Sequence, residues 1–333
     1  MRSLAVAVPK DRAEAVRQDL LAQGVLRKGV AIARDGDTVY LPVTTSAIQH
    51  PTVSHDFRES FAPIRSYKDV ARIPSDLRQG LPTSFDVVGD IAIVKIPEEL
   101  REYAAEIADA ILRANGSIKV VAADDGVKGP MRVRQLRVLA GPDRTETVYR
   151  EFSLSYAVDV AKAYFSPRLG SERMRVAQQV GPGEVVVDMF SGVGPYAILI
   201  GKRRQPAVVH AFDANPDAFR CLEENVRRNR ADRVRPRLGD GIALLALVDR
   251  PRRILVDYPS GPDPAFQAAL LRILPGGTIH YYAILESVER EDRGRALVDA
   301  ARSIGRDAKI TAMREVHGWS PTQSLFVFDV HVV

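Results

Sequence analysis

At 333 residues, with 46% apolar and 27% charged residues, the chain has the composition of a globular protein and is long enough for two or three domains. It lacks an apolar run of about 18 residues that could span a bilayer, and the N-terminus lacks a signal-peptide cleavage site, so we expect a soluble, cytoplasmic protein. The single cysteine, Cys221, excludes an internal disulfide and a cysteine metal cluster, while the net charge of +5, carried mostly by Arg, is compatible with a polyanionic partner.

The first 68 residues have the pattern of a small α/β domain. Alternating apolar residues from Leu4 to Val8 predict a strand, and a helical pattern runs from Asp11 to Gln23. A hairpin is predicted around Asp35-Gly36. Residues 50–82 lose the apolar period and contain several prolines, so they predict a linker that holds one helix at most.

A second unit of the α+β type is predicted over residues 74–150. Two strands are expected within residues 85–96, on either side of a turn at Gly89-Asp90, and a helix is expected from Pro97 to Asn115. A turn at Asp124-Asp125-Gly126 then separates further alternating stretches.

From residue 151 to 333 strand and helix patterns alternate. After a helix around residues 171–180, short apolar runs occur at 184–188, 207–213, 235–238, 253–257 and 277–282, with helical patterns at 194–203, 216–230 and 264–274. This alternation predicts a doubly wound, mostly parallel sheet, and the clean alternation over 324–332 predicts an antiparallel C-terminal strand. We therefore expect an α/β domain preceded by two smaller α+β domains.

Acidic residues follow three of these predicted strands. Asp188, Asp213 and Asp240 stand at strand ends, where an open parallel sheet binds its ligands. The loop after Asp188 has the pattern D-x-F-x-G-x-G-P, with Gly192 and Gly194, and not the G-x-G-x-x-G of a pyrophosphate-binding loop. A cofactor with ribose and adenine but no phosphates fits this pattern, which favours S-adenosylmethionine. The scattered histidines favour no metal site.

Several longer stretches are specific enough to indicate a family. They are Phe85–Asp90, Gly129–Arg134, Leu139–Thr145, Asp159–Leu169, Glu172-Arg173, the Asp188 loop and Gly276–Tyr282. On these stretches the chain resembles the archaeal and eukaryotic tRNA (guanine-37 N1)-methyltransferase family over nearly its whole length. The resemblance implies a Rossmann-like class I methyltransferase domain, S-adenosylmethionine as cofactor, and tRNA as the partner of residues 1–68 and 74–150. We expect a monomer that needs no other protein.

The resemblance also implies roles for single residues. Glu172 matches the family's general base toward guanine N1, and Arg132 matches an arginine that stabilises negative charge developing on O6. Positions of the cofactor pocket are matched by Tyr164, Arg168, Phe190, Asp213 and Asp240.

One motif departs from the family pattern. The family carries Asn-Leu-Pro after the fourth strand, whereas this chain has Asp257, Tyr258 and Pro259, which we expect to contribute to catalysis and to contact the substrate base. An ionised aspartate only accepts hydrogen bonds and would repel guanine O6, unless it faces N1–H or the 2-amino group. Adenine is therefore an alternative target, and Tyr258 offers a ring on which a flipped base could stack.

Three other functions stay open at this point. The related aminocarboxypropyl transferase of the wybutosine pathway uses the same cofactor but transfers a different group. A non-catalytic RNA-binding paralogue would retain the fold without binding the cofactor. A protein methyltransferase would bind the cofactor without binding tRNA.

Overall fold

The computed structural model describes residues 1–27, 29–46, 49–58, 66–129, 131 and 133–333. Their contacts divide the chain into two units, residues 1–69 and 70–333. In the described ranges, no helix is both long enough and apolar enough to pass through a membrane.

The first unit has one antiparallel sheet and one packed helix. Its elements are β1 (Arg2–Pro9), α1 (Ala13–Ala22), β2 (Ala33–Asp35), β3 (Thr38–Pro42) and β4 (Thr52–Asp56). The strands follow the order β2-β3-β1-β4. Leu20 of α1 is fully buried in a cluster with Val6 and Leu41, which confirms the predicted strand, helix and hairpin.

Strand β4 corrects the prediction that residues 50–82 are a linker. It pairs antiparallel with β1, with Arg2 opposite Asp56, and His55 stacks on Tyr40 of β3 with ring centroids 4.0 Å apart. Because β4 is an edge strand without a fully buried side chain, it has no apolar period by which the sequence could identify it. Residues 59–65 of the same segment lie outside the described residues.

The second unit begins with a sheet that one helix covers. After α2 (Tyr67–Val70), which lies across the boundary between the two units in the sequence, its elements are β5 (Asp86–Val88), β6 (Ile91–Val94), α3 (Ala104–Ala114), β7 (Val120–Lys128) and β8 (Val133–Ala140). The strand order is β5-β6-β7-β8, with β6 and β7 parallel and α3 as their crossover. The two strands around Gly89-Asp90 are confirmed, and the predicted helix starts as a 3-10 helix over Glu98–Tyr103 before α3.

The predicted turn at Asp124-Asp125-Gly126 is wrong. These residues lie inside β7, where the pairing with β8 shifts from Asp124 opposite Leu136 to Val127 opposite Arg134. Gly126 has a φ of +104° and donates its N–H to the Asp124 carboxylate. A β-bulge requires the same turn-forming residue types, so the sequence pattern could not separate the two structures.

The remaining residues form a hairpin and a doubly wound domain. The elements are β9 (Glu146–Glu151), β10 (Leu154–Asp159), α4 (Gly170–Gln179), β11 (Val185–Asp188), α5 (Pro195–Arg203), β12 (Val208–Asp213), α6 (Pro216–Arg228), β13 (Val234–Leu238), α7 (Gly241–Leu245), β14 (Arg253–Val256), α8 (Asp263–Arg272), β15 (Thr278–Glu286), α9 (Arg290–Ser303), β16 (Ala308–Gly318) and β17 (Gln323–Val332).

The main sheet has the order β13-β12-β11-β14-β15-β17-β16. The first five strands in this order, from β13 across to β15, are parallel to one another. Strand β17 runs antiparallel to both of its neighbours, β15 and β16. Alternate side chains of the strands enter two apolar clusters, so that Val186 is buried with residues of α4, α5 and α6, and Val187 with residues of α8 and α9. This arrangement confirms the predicted mostly parallel sheet with an antiparallel C-terminal strand.

Strands β15, β16 and β17 extend beyond the rest of the sheet. The last residue of β14, Val256, is opposite Tyr281, but β15 continues to Glu286 and stays paired with β17 throughout. At about 3.4 Å per residue, the extra residues carry these strands roughly 17 Å past the end of β14. The extension forms a wall beside the carboxyl edge of the parallel strands.

Candidate functional site

A cavity of about 350 Å³ lies at the carboxyl ends of the parallel strands. Its volume is in the range of small-molecule sites, roughly 300–1,000 Å³. Of the residues predicted from sequence, it is lined by Tyr164, Phe190, Gly192, Asp213, Asp240, Asp257, Tyr258 and Pro259.

Asp213 is held in place by backbone groups at the end of β12. Its two carboxylate oxygens accept hydrogen bonds from Gly192 N at 2.7 Å and Asn215 N at 2.8 Å. Burial raises the pKa of Asp213, although these two N–H groups oppose the shift. Gly192 has a φ of +55°, a conformation that other residues rarely adopt, and it lines the cavity beside this carboxylate.

Asp240 and Gly194 have clear local roles in building the site. Asp240 caps the N-terminus of α7 by accepting from Ala243 N at 2.9 Å. Gly194 precedes α5 with a φ of +89°, and a Cβ there would lie 2.4 Å from Leu222 Cδ1. Gly194 does not line the cavity, so the glycine is required for the turn and its packing.

Asp188 lies beneath the cavity floor. The residue is 1% exposed, and among the described residues no group makes a hydrogen bond of good geometry to either carboxyl oxygen, although the backbone N–H groups of Phe190 and Ala197 act to lower its pKa. Burial, followed by the charges of Asp257 and Asp213, raises the pKa of Asp188 well above its usual range. The carboxylates of Asp213 and Asp257 give this region a negative potential, which suits a ligand that carries positive charge.

Asp257, Tyr258 and Pro259 follow β14 and line the cavity together. The rings of Tyr258 and Phe190 are stacked, with centroids 5.1 Å apart and planes 29° apart. The departure from the family motif therefore lies at the cavity surface, where it can affect which base is accepted.

Glu172 is buried behind this surface and does not line the cavity. Only 1% of the residue is exposed, and its carboxylate accepts from Arg175 at 2.7 and 2.8 Å and from the Tyr282 hydroxyl at 2.9 Å. Burial raises the pKa of Tyr282 well above its usual range, so its hydroxyl stays protonated and donates. Tyr282 comes directly after the residue paired with Val256, which places it next to Asp257 in the sheet.

Behind Glu172, a row of charged and polar side chains links α4 to the sheet. Arg175 also donates to Asp329 at 2.6 and 3.0 Å, and Asp329 contacts His280 Nδ1 at 2.7 Å. The other ring nitrogen of His280 lies 2.8 Å from an Arg253 nitrogen, and because arginine only donates, we assign the proton to Nδ1. Burial lowers the pKa of His280 and outweighs the opposing effect of Asp329, so the ring is neutral.

Two further predicted site residues are not part of the cavity lining that the structure describes. Arg168 is about half exposed, pairs with Asp86 at 2.8 Å, and does not line the cavity. Arg132 lies outside the described residues.

The sequence analysis missed some residues of the cavity lining. Asn215 begins α6 and follows Asp213 closely, so its position next to a strand end was a usable signal. Met131 lies in the stretch Gly129–Arg134 that supports the family resemblance, whereas Trp319 and Leu325 carried no such signal, because they reach the cavity from a distant part of the chain.

Comparison with known proteins gives a consistent family assignment. Models described as the TRM5/TYW2 methyltransferase domain, the TYW2 N-terminal domain and the tRNA methyltransferase 5 N-terminal domain match residues 147–308, 70–145 and 5–48. The tRNA (guanine(37)-N(1))-methyltransferase Trm5b of Pyrococcus abyssi is 36% identical over 99% of both chains, and its crystal structure superposes with a TM-score of 0.79.

Two other relatives bear on the substrate. The tRNA 4-demethylwyosine(37)-methyltransferase Taw21 of Saccharolobus solfataricus is 35% identical over 68% of this chain and 87% of its own. The protein chain in the solved complex of aTrm5 and tRNALeu is 29% identical to this chain. The match covers 98% of this chain and 99% of that one, and the two superpose with a TM-score of 0.81.

Proposed function

The chain belongs to the TRM5/TYW2 methyltransferase family, and we propose that it transfers a methyl group from S-adenosylmethionine to N1 of guanine 37 in tRNA. The observation that carries the proposal is the likeness to Trm5b, which extends over 99% of both chains and therefore includes the N-terminal unit. When bound, S-adenosylmethionine supplies an electrophilic methyl group on a positively charged sulfur.

The residues around the cavity fit this cofactor. Asp213 and Asp240 are suited to hold the ribose hydroxyls and the adenine amino group. The buried carboxyl of Asp188 has no hydrogen bond of good geometry from the described residues and lies close to the charges of Asp213 and Asp257. A cationic sulfonium would offset this accumulation of negative charge.

Methylation at N1 breaks the N1–H bond and the bond between sulfur and the methyl group, and it forms an N1–carbon bond. The sulfur would leave with the bonding electron pair as a neutral thioether, so only the departing proton needs an acceptor. We assign this role to Glu172. In the structure its oxygens are occupied by Arg175 and Tyr282. When the substrate enters, Glu172 must therefore give up the hydrogen bond from one of these donors and accept one from guanine N1–H instead.

Loss of the N1 proton spreads negative charge onto O6 of guanine. From the family resemblance we assign Arg132 to stabilise that charge. Asp257 is unsuited to face O6, and because Glu172 takes the N1 proton we propose that Asp257 accepts from the 2-amino group, while Pro259 and Tyr258 shape the pocket for the base.

Two related functions have specific support. The relative Taw21 is named for a base that already carries a modification, and the TYW2 N-terminal model matches residues 70–145. If the chain acts like Taw21, a wyosine-type base would take the place of guanine as the base that receives the methyl group. If it acts instead like the aminocarboxypropyl transferase of the wybutosine pathway, an aminocarboxypropyl group would replace methyl as the group transferred.

We further propose three domains, with residues 1–68 contacting tRNA, residues 74–150 binding RNA, and residues 151–333 binding the cofactor. The boundaries of the three matching family models support this division. We expect the purified chain to act as a monomer without another protein.

The direct test incubates the purified chain with labelled S-adenosylmethionine and unmodified tRNA transcripts that carry either guanine or adenine at position 37. Nucleosides from the digested RNA are identified by mass spectrometry. We expect 1-methylguanosine from the guanine transcript only. Methylated adenine, an aminocarboxypropyl product, or a reaction confined to pre-modified tRNA would contradict the proposal.

The variant Asp257→Asn tests the departure from the family motif. Asparagine keeps an oxygen that can accept from the 2-amino group and adds a donor that can face O6, so we expect faster methylation of the guanine transcript. The measurement is kcat/KM for both transcripts, with the affinity for S-adenosylmethionine as control. A slower reaction would show instead that the carboxylate is needed.

A further inference from the structure

The wall formed by β15, β16 and β17 carries an aromatic residue that the sequence analysis did not assign. Trp319 follows directly after β16, is 38% exposed, and lines the same cavity as Asp257 and Tyr258. It is the only tryptophan of the chain. A large aromatic ring that is partly open to a cavity is suited to contact a flat ligand.

The order of the strands places Trp319 on the side of the cavity away from the proposed cofactor residues. Asp240 and Asp213 follow β13 and β12, on one side of β11, whereas Asp257 follows β14 on the other side. Beyond β14 come β15, β17 and β16, so Trp319 lies farther in the same direction. The cavity thus extends from the proposed ribose and adenine positions, past Asp257, to Trp319.

The backbone around Trp319 is well fixed. In the turn between β16 and β17, Trp319 N and Ser320 N both donate to Gln323 O, at 2.8 and 2.9 Å, and the Ser320 hydroxyl accepts from Gln323 N at 3.1 Å. The ring of His317 stacks on the indole with centroids 6.3 Å apart and planes 22° apart. The ring is therefore presented from a constrained turn, which limits the entropy lost when a ligand stacks on it.

We infer that Trp319 is a stacking surface for the target base in the substrate half of the cavity. The inference rests on the proposed function, because it takes the ligand to be a purine of RNA. Trp319 takes no part in the chemistry and acts by binding. Stacking does not depend on hydrogen bonding, so Trp319 would hold the base while Asp257 distinguishes between purines.

Fluorescence gives a direct test, since the only tryptophan emission of the chain comes from this position. The full chain is titrated with an anticodon stem-loop RNA carrying guanine at position 37, and with the same RNA carrying an abasic site there. We expect the guanine RNA to quench the emission strongly and the abasic RNA to quench it weakly at saturation. Equal quenching by the two RNAs would overturn the inference.

Kinetics of Trp319→Phe, Trp319→Leu and Trp319→Ala separate stacking from packing. Loss of one base–aromatic stack should raise KM for tRNA roughly tenfold in the Leu and Ala variants, while Phe retains most of the affinity. The affinity for S-adenosylmethionine, measured by calorimetry, should change less than about twofold in each variant. A Leu variant as good as Phe, or a matching loss of cofactor affinity, would overturn the inference.

The test also separates this inference from the proposed function. If the wild-type chain methylates guanine 37 but the RNA does not quench Trp319, the inference fails alone. If guanine RNA quenches Trp319 without any methyl transfer, the proposed function fails while the stacking surface stands.

Discussion

At the residue scale, Glu172 has surroundings that limit its access to a substrate. Its carboxylate accepts hydrogen bonds from Arg175 and Tyr282 and lies 3.6 Å from an Arg314 nitrogen. A substrate must therefore displace one of these donors before Glu172 can accept its proton.

Glu172→Gln should remove most turnover while leaving cofactor binding intact. Glutamine keeps the size of the side chain and can still accept from Tyr282, but it cannot take the N1 proton, so we expect kcat to fall by about 10²–10⁴-fold. Single-turnover methylation measures the loss, and calorimetry should give an unchanged affinity for S-adenosylmethionine.

The matched control is Glu98→Gln, which changes an exposed acid that forms a surface ion pair with Arg101 three residues away. It should leave turnover and thermal stability unchanged. Wild-type activity in Glu172→Gln would reject the assignment of the base.

The residues of the cavity show what a sequence can predict about a site. Asp213, Asp240 and Asp257 follow strands directly, so strand recognition alone places them at one edge of the sheet. Trp319 reaches the same cavity only because β15 to β17 extend past β14, and strand lengths in space are not visible in a local pattern. The burial of Glu172 behind Tyr282 likewise depends on packing between α4 and β15.

At the element scale, the row from Arg175 to Arg253 joins α4 to β14, β15 and β17. Asp329 lies at its centre and accepts from Arg175, Gln179 and His280. Burial alone would raise the pKa of Asp329, but the hydrogen bonds from His280 and Arg175 hold it well below its usual range. Since α4 also carries Glu172, this row fixes the position of the proposed base relative to the sheet.

Asp329→Asn should destabilise the fold in a pH-dependent way. Removing the negative charge of Asp329 leaves the positive charge of Arg175 with Glu172 but without its second carboxylate partner. Breaking a buried ion pair in this way typically costs about 3–5 kcal/mol at neutral pH. Because the folded-state pKa of Asp329 is depressed, its stabilisation is fully present above the ordinary value of about 4 and is lost as pH falls below it. The difference in unfolding free energy between wild type and variant should therefore start to shrink near pH 4 and keep shrinking as the pH is lowered toward the depressed folded-state pKa.

Urea unfolding across this pH range measures the effect. Asp299→Asn is the control, because Asp299 forms a surface ion pair with Arg302 and both side chains are well exposed. A pH-independent difference for Asp329→Asn would contradict the assigned role of the carboxylate.

The strands that the sequence predicts correctly are more deeply buried than the strands and the bulge that it does not predict. The parallel strands β11, β12 and β14 are buried on both faces and appear as short apolar runs. Strands β4 and β16 lie at sheet edges with mixed exposure, and the bulge in β7 uses turn-forming residues. Edge position and bulges depend on partner strands, which a single stretch of sequence does not specify.

At the scale of the whole molecule, two kinds of binding are expected to respond differently to salt. The chain carries a net charge of +5, and its proposed partner is a polyanion. The proposed cofactor site, in contrast, is a small cavity bounded by carboxylates.

Raising the salt concentration should therefore weaken tRNA binding far more than cofactor binding. A protein that contacts several phosphates releases counterions, so raising NaCl from about 50 to 200 mM should lower the affinity for tRNA by at least about tenfold. S-Adenosylmethionine is not a polyelectrolyte, and its affinity should change less than about threefold. Filter binding with tRNA and calorimetry with the cofactor, on the same preparation, measure the two slopes. If tRNA affinity were insensitive to salt, phosphate contacts could not supply the binding energy, and the proposal that residues 1–68 and 74–150 bind the tRNA body would fail.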